Sequence, residues 1–262
     1  MKNKIPILFI VLALTGCASV PGKGDPRDPF EGYNRAVYKF NDAVDRAILK
    51  PVAQGYDTAV PGPVKTGIRN FFSNLGEVVI IANDLLQGKG EQGVSDLGRF
   101  LMNSTIGLIG LIDIATPAGL TKNNEDFGQT LGKWGVGPGP YFMLPFIGPS
   151  TVRDAFGRLA DSQLQYFTWV EDVPARNSAY AVETIDTRAG LLKAGNILDE
   201  ASLDPYNFLR DAYLQRRQRL VYDGNPPHSK DDLEEEDEPT EPTKSKDTGS
   251  DTKPADSPPV PR

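Results

Sequence analysis

Residues 123–149, NNEDFGQTLGKWGVGPGPYFMLPFIGP, decide how the rest of this 262-residue sequence can fold. Six glycines and four prolines interrupt the stretch, and a helix does not persist through so many breakers. Its large apolar side chains make it unsuitable as a solvated loop, and its backbone polar groups need partners. We therefore expect an irregular segment that packs against the body or a partner and lines or gates a cavity. The apolar side chains are Phe127, Trp134, Tyr141, Phe142, Met143, Leu144, Phe146 and Ile147.

The sequence on either side of this stretch predicts helices, so the expected fold class is mainly α over residues 28–224. Apolar residues recur at spacings of three and four from Phe30 to Ile48, which forms one face of a helix. Asp28 is the expected N-cap of this helix, and Pro51 is expected to follow its end. Further helices are predicted at residues 64–75, 77–87, 91–103, 151–167 and 182–198, and from Asp204 onwards.

Two apolar runs, residues 78–82 and 104–115, leave two interpretations open. A dozen helical residues rise about 18 Å, which is close to half of the roughly 30 Å hydrocarbon core of a bilayer. Each run therefore suits either a buried core helix or a segment that enters one leaflet.

Arginines crowd the end of the last predicted helix, at Arg216, Arg217 and Arg219. Cations at a helix C-terminus interact favourably with the helix dipole. A basic patch that contacts anionic lipid headgroups is the alternative.

The first residues predict a targeting segment. Lys2 and Lys4 precede an apolar run at residues 5–14, which is too short to span a bilayer but suits a signal peptide. The sequence Leu-Thr-Gly-Cys at residues 14–17 resembles the bacterial lipobox. We expect residues 1–16 to be a signal peptide, Cys17 to be lipidated, and residues 17–27 to be a flexible tether. A soluble secreted protein with an early Cys is the alternative.

The other end of the sequence predicts disorder. Residues 229–262 contain 11 acidic residues, 5 basic residues and six prolines, and such a composition cannot form a packed core. We expect residues 225–262 to be a disordered, acidic, Pro-rich tail. This tail carries most of the net charge of −7, so the body is nearly neutral and lacks the basic stripe of a nucleic-acid binder.

The composition gives no support to catalysis or metal binding. The chain has one Cys and one His, which excludes multi-cysteine and His-cluster metal sites. No Gly-x-Ser-x-Gly nucleophile elbow is present, and His228 lies at the edge of the predicted tail. We therefore expect no catalytic residue, no metal, no cofactor and no enzymatic activity.

Three segments carry a resemblance to a known family. The first is DPFEGYNR at residues 28–35, followed by Phe40-Asn41. The second is EDFGQTLGKWGVGPGPY at residues 125–141, continuing to Arg153-Asp154. The third is DPY at residues 204–206, followed by RDAY at residues 210–213 and by Gln215-Arg216. Over residues 28–217 the chain resembles the MlaA (VacJ) family of outer-membrane lipoproteins.

That resemblance implies a ring-like helical platform in the inner leaflet of the Gram-negative outer membrane, lipid-anchored on its periplasmic side. An amphipathic channel would remove mislocalised phospholipids from the outer leaflet and pass them to a soluble periplasmic carrier of the Mla pathway. This activity maintains the lipid asymmetry of the membrane. The implied partners are phospholipids, that carrier and an outer-membrane porin trimer.

The resemblance also assigns residues. Cys17 is the implied lipidation site. The implied channel or lipid-contact residues, which could instead be purely structural, are Phe40, Asn41, Gly135, Gly137, Gly139 and Tyr141. Two other functions remain open from the sequence: a scaffold that docks porins without lipid transfer, and a lipid hydrolase.

Overall fold

The computed structural model describes residues 24–227, without the side chains of residues 198–201, and this part of the chain is mainly helical. The expected fold class is therefore confirmed. Residues 1–23, which hold the predicted signal peptide, Cys17 and most of the predicted tether, lie outside the described residues, as does the predicted tail beyond residue 227. Within the described part, no helix has the length and apolarity that crossing a bilayer requires.

The described elements follow one another in this order: α1 (Glu31–Val44), a π-helical turn (Asp45–Leu49), α2 (Lys50–Ala59), α3 (Gly62–Leu86), α4 (Gly90–Thr105), α5 (Phe127–Lys133), β1 (Tyr141–Leu144), β2 (Gly148–Thr151), α6 (Val152–Asp161), a 3-10 turn (Tyr166–Trp169), α7 (Val173–Gly190), α8 (Leu192–Ala201) and α9 (Pro205–Val221).

The packing of these elements forms a closed circuit. Helix α2 packs on α7, α7 on α3, α3 on α5, α5 on α9 and α9 on β2. The hairpin partner β1 then packs on α1, which leads through the π turn back to α2. This circuit agrees with the ring-like platform that the resemblance implies.

The first helix does not end before Pro51, so that prediction was wrong. The helix widens into a π turn, in which the amide of Lys50 donates to the carbonyl of Asp45, and it then continues to Ala59. Proline has no N–H to donate, and its ring clashes with the preceding turn of a regular helix. The wider turn just before Pro51 accommodates both effects.

Asp28 is not an N-cap, because the helix begins at Glu31 without a side-chain cap. Asp28 is instead buried, where its carboxylate accepts hydrogen bonds from Asn34 at 2.7 Å and from the hydroxyl of Tyr206. Burial of a carboxylate requires such partners. Asp28 therefore joins the start of α1 to α9.

The last residues of the expected tether also contact the body. Arg27 forms an ion pair with Asp211 of α9 at 3.0 Å, and Asp25 forms one with Arg210 at 3.2 Å. The backbone carbonyl of Arg27 accepts from the amide of Tyr141 at 2.8 Å. Residues 25–27 thus belong to the packed body.

Several predicted helix boundaries differ from the structure. Residues 64–75 and 77–87 form the single helix α3, since Gly76 is tolerated inside it. The segment predicted as one helix over residues 182–198 contains the break between α7 and α8. The helix starts predicted at Thr151 and Asp204 agree with the structure, in which each side chain caps its helix by accepting from a backbone amide in the first turn.

Residues 106–119 form turns, so the helix considered for residues 104–115 was wrong. The side-chain oxygen of Asn103 accepts from the amides of Ile114 and Ala115, which replaces helical hydrogen bonds. Gly110 has a φ of +88° and lies against Asn74. Five large apolar side chains of this segment are 46–71% exposed, so it is not a buried core element: Ile106, Leu108, Ile109, Leu111 and Ile112.

The stretch at residues 123–149 is more regular than its glycines and prolines predict. Its first half forms the short helix α5, capped by Asp126, whose carboxylate accepts from the amide of Gln129 at 2.9 Å. Its second half enters the hairpin of β1 and β2, in which Tyr141 pairs with Thr151 and Leu144 with Gly148. Only residues 134–140 between them are irregular.

Asp84 of α3 and Asp96 of α4 form a fully buried carboxyl pair. Neither oxygen of Asp84 has a hydrogen-bond partner, so the ionised carboxylate is poorly stabilised. Burial, the largest cause, together with the neighbouring acids Asp96 and Glu125 raises the pKa of Asp84 to about 7, and Lys89 opposes the shift.

We predict that the free energy of unfolding falls as the pH rises from about 4 to about 7 and levels off above that. The folded-state pKa of Asp84 exceeds its unfolded value, so the folded state holds the proton more tightly and loses this stability when the proton leaves. The slope reaches at most about 1.4 kcal/mol per pH unit. Denaturant unfolding of Asp84→Asn should lose this slope, whereas Glu91→Gln, an exposed site on α4, should keep it. An unchanged slope in Asp84→Asn would refute the raised pKa of Asp84.

Candidate functional site

Two large cavities lie within residues 24–226, and α9 contributes to both. Cavity A, of about 640 Å³, is lined mainly by α3, α6, α7 and α9. Cavity B, of about 660 Å³, is lined by the irregular residues 135–140, the first residues of the body and the other side of α9.

One part of the wall of cavity A is aromatic. Phe72 of α3 stacks on Tyr166 of the 3-10 turn, with ring centroids 6.0 Å apart. Phe167 packs against Tyr180 of α7 at 5.2 Å. Aromatic rings supply a large apolar surface with little conformational freedom to lose, so this part of the wall suits an apolar ligand.

The rest of the wall of cavity A is strongly charged. Asp161 accepts from the amide of Phe127 and from the side chain of Asn83, both at 3.0 Å. Burial raises the pKa of Asp161 above its usual value despite these hydrogen bonds. Cavity A therefore has an amphipathic wall. Its charged residues are Lys122, Glu125, Asp126, Asp154, Arg158, Asp161, Glu183, Arg216 and Arg217.

Arg217 is the most strongly bound of these charges. Its guanidinium forms a bidentate pair with Asp126, at 2.5 and 2.9 Å, and a further hydrogen bond to Asp154 at 2.9 Å. Burial disfavours the ionised form of both carboxyl groups. The charge and hydrogen bonds of Arg217 outweigh this effect and hold the pKa of Asp126 and of Asp154 below their usual values. The cluster is therefore ionised at neutral pH.

Arg158 and Arg216 differ from Arg217, because neither forms an ion pair with a carboxylate in the described part of the chain. Both side chains are exposed, and both line cavity A. A guanidinium presents a planar fork of donors that matches the oxygens of a phosphate or carboxylate. This cavity thus offers two available cations to an anionic group.

The three predicted glycines, Gly135, Gly137 and Gly139, line cavity B and not cavity A. Gly135 and Gly139 have φ values of +91° and +66°, which residues with a Cβ rarely adopt. The amides of Val152 and Arg153 donate to the carbonyls of Pro140 and Pro138, which fixes the loop against the start of α6.

The other three predicted residues, Phe40, Asn41 and Tyr141, also lie outside cavity A. Asn41 donates to the carbonyl of Leu144 and accepts from the amide of Phe146, so it holds the turn of the hairpin. Phe40 packs edge-on against Phe146 with a centroid distance of 5.1 Å. Tyr141 is fully buried beside Met143 and Tyr206. A role of the six residues in contacting a ligand stays a prediction.

The functional side chains missed from the sequence are the charges of cavity A. Asp154 and Arg216 lie within the quoted motifs. They line the same cavity only because helices that are far apart in the chain pack together. Arg217, assigned to the helix dipole or a basic patch, lies instead in a buried ion-pair cluster. The described residues contain no group of three His, Cys, Asp or Glu side chains arranged to hold a metal ion.

Comparison with known proteins adds three findings. A family model described as MlaA lipoprotein matches residues 26–220. The chain is 39% identical over 233 residues to the intermembrane phospholipid transport system lipoprotein MlaA of Escherichia coli strain K12, covering 86% of this chain and 91% of that protein. It is 35% identical over 243 residues to the protein of the same name from Haemophilus influenzae, covering 89% and 96%.

A solved structure, described as "Structural basis for maintenance of bacterial outer membrane lipid asymmetry", is also similar. It has a TM-score of 0.66 and 39% sequence identity, and the match covers 74% of this chain and 98% of that one.

The contact between Gly128 of α5 and Gly157 of α6 yields a stability prediction. A Cβ at position 157 would lie 2.7 Å from the Cα of Gly128, so Gly157→Ala should push α5 and α6 apart and lower the free energy of unfolding by about 1–3 kcal/mol. Position 76 in α3 has open space around it, so Gly76→Ala should raise stability by about 0.5–1 kcal/mol. Thermal unfolding followed by circular dichroism measures both, and a Gly157→Ala variant as stable as the parent would contradict the packing.

Proposed function

This chain belongs to the MlaA lipoprotein family, and we propose that it removes mislocalised phospholipids from the outer leaflet of the outer membrane and so maintains lipid asymmetry. Cavity A is the proposed passage. The phospholipid would leave towards the periplasm, where a soluble carrier of the same transport system receives it.

The observation that carries this proposal is the amphipathic wall of cavity A. A phospholipid combines an anionic phosphate with long apolar chains. Arg158 and Arg216 suit the phosphate, and the aromatic surface around Phe72 and Phe167 suits the chains. Binding of the phosphate and of the chains depends only on shape and charge, so the proposed function requires no covalent chemistry and no cofactor.

Exposed apolar side chains support a position at leaflet depth. Residues 106–112 present Ile106, Leu108 and Ile109 to the surroundings, and large exposed apolar patches mark membrane or protein contacts. We propose that this apolar surface places the body in the inner leaflet alone. Cys17 would carry the lipid anchor, with the body facing the periplasm.

A porin trimer is the proposed partner in the membrane. Its β-barrel would supply a fixed apolar surface beside the body, and the proposed assembly would hold the passage at constant depth. The six residues Phe40, Asn41, Gly135, Gly137, Gly139 and Tyr141 would shape the hairpin, whose turn residue Ile147 lines cavity A, and the loop that lines cavity B.

Lipid analysis tests the proposed function directly. The full-length protein should be extracted gently from membranes, and a deletion strain should be compared with a complemented one for surface-exposed phospholipid. We expect co-purified phospholipid and an increase of surface phospholipid on deletion. Absence of both would refute transport. Release of lysophospholipid or fatty acid by the pure protein would favour a hydrolase, and porin cross-links with no lipid dependence would favour a scaffold.

Charge reversal in cavity A provides a sharper prediction. Replacing both Arg158 and Arg216 with Glu should lower co-purified phospholipid about tenfold or more, since a charge-assisted hydrogen bond contributes about 1.5–3 kcal/mol. Arg219 is the control, because it lies on α9 like Arg216, is exposed, and lines neither cavity. Arg219→Glu should leave the lipid content unchanged. Equal loss in the control would indicate a general effect of charge and contradict specific phosphate binding.

A further inference from the structure

Arg217 is the residue that cavities A and B share. Cavity A lies beside Tyr213 and Leu220 of α9, and cavity B lies beside Leu214 and Val221 of the same helix. Among the residues that line the two cavities, only Arg217 occurs in both sets. Its side chain therefore forms part of the wall that separates them.

That wall is built from charges and not from apolar packing. Arg217 binds Asp126 and Asp154 of the cavity A lining. Asp154 in turn accepts from Arg153, at 3.0 Å, and Arg153 lines cavity B. Two arginines and two aspartates thus connect the cavities and balance one another in charge.

Glycines in α5 give this cluster its space. A Cβ at Gly128 would lie 2.7 Å from the carboxylate of Asp154 and 2.8 Å from the guanidinium of Arg217. A Cβ at Gly132 would lie 2.8 Å from the guanidinium of Arg153. The backbone of α5 therefore lies directly against the cluster, and no side chain of these two residues fills the wall.

One donor of Arg217 is unused. Its Nε is buried and has no hydrogen-bond partner, and the side chain as a whole is only 12% exposed. An unmade hydrogen bond of a buried charged group costs free energy. A phosphate that displaced a carboxylate from the guanidinium would bring three or more oxygens, and one of them would satisfy this donor.

We propose that Arg217 is a second phosphate-binding position, at which a lipid headgroup passes from cavity A to cavity B by replacing Asp126 and Asp154 on the guanidinium. This inference rests on the proposed function, and it extends the passage beyond cavity A. Arg158 and Arg216 receive the phosphate first, and Arg217 transfers it. Cavity B, bordered by the Gly/Pro loop, is the second compartment of the route.

Photo-cross-linking tests the route. The full-length protein is placed in vesicles of phosphatidylethanolamine and phosphatidylglycerol, with p-benzoylphenylalanine replacing one aromatic residue at a time. Phe72 reports on cavity A and Tyr222 reports on cavity B. Phe208 is the control, since it is exposed on α9 and lines neither cavity.

The test variant is Asp126→Asn with Arg217→Gln, which removes one charge of each sign and so limits the loss of stability. We expect phospholipid adducts at Phe72 and Tyr222 in the parent. In the double variant, the adduct at Tyr222 should fall about tenfold or more. The adduct at Phe72 should change little, and so should any adduct at the control position, Phe208. Arg217→Lys retains the charge without the fork and should give an intermediate adduct at Tyr222, with circular dichroism to verify folding.

The outcomes separate this inference from the proposed function. Absence of an adduct at both Phe72 and Tyr222 in the parent overturns both. An adduct at Phe72 together with an unchanged adduct at Tyr222 in the double variant overturns only the role of Arg217. Binding of inorganic phosphate that depends on Arg217, without any lipid adduct at Tyr222, assigns the site to free phosphate and also overturns the lipid route.

Discussion

The close contact of α5 with α6, at Gly128 and Gly157, is the constraint on which the rest of the site depends. Since neither residue has a side chain, the two helices approach until backbone meets backbone. Asp126 at the start of α5 and Asp154 at the start of α6 then reach the same guanidinium, that of Arg217. A long, charged helix is thereby fixed beside two cavities, at the junction that an anionic ligand would have to cross.

The charges of the molecule are distributed in a way that suits an amphipathic ligand. The body is nearly neutral, yet many of its charged side chains lie inside or beside the cavities, whereas large apolar side chains lie on the surface. This arrangement differs from an ordinary soluble domain, where charges cover the surface. Such a distribution suits the proposed body, which rests in a leaflet and encloses a polar path.

Local signals in the sequence predicted much of the fold but little of the site. The caps Thr151 and Asp204 follow from short patterns, because capping involves only neighbouring residues. Pro51 inside a helix and the turns of residues 106–119 did not follow, because neither the π turn nor the hydrogen bonds of the Asn103 side chain alter the spacing of apolar residues. The ion pairs of Arg217 join residues 63 and 91 positions apart, and no local periodicity predicts such contacts.

In the proposed mechanism, cavity A holds a phospholipid by its phosphate. An experimental structure of the full-length protein in lipid nanodiscs, at a resolution that locates the phosphorus atom, measures this directly. We expect phosphate density within hydrogen-bonding distance of Arg158 or Arg216, with acyl density along Phe72 and Phe167. Ordered lipid confined to the outer surface, with cavity A filled only by water, would contradict it.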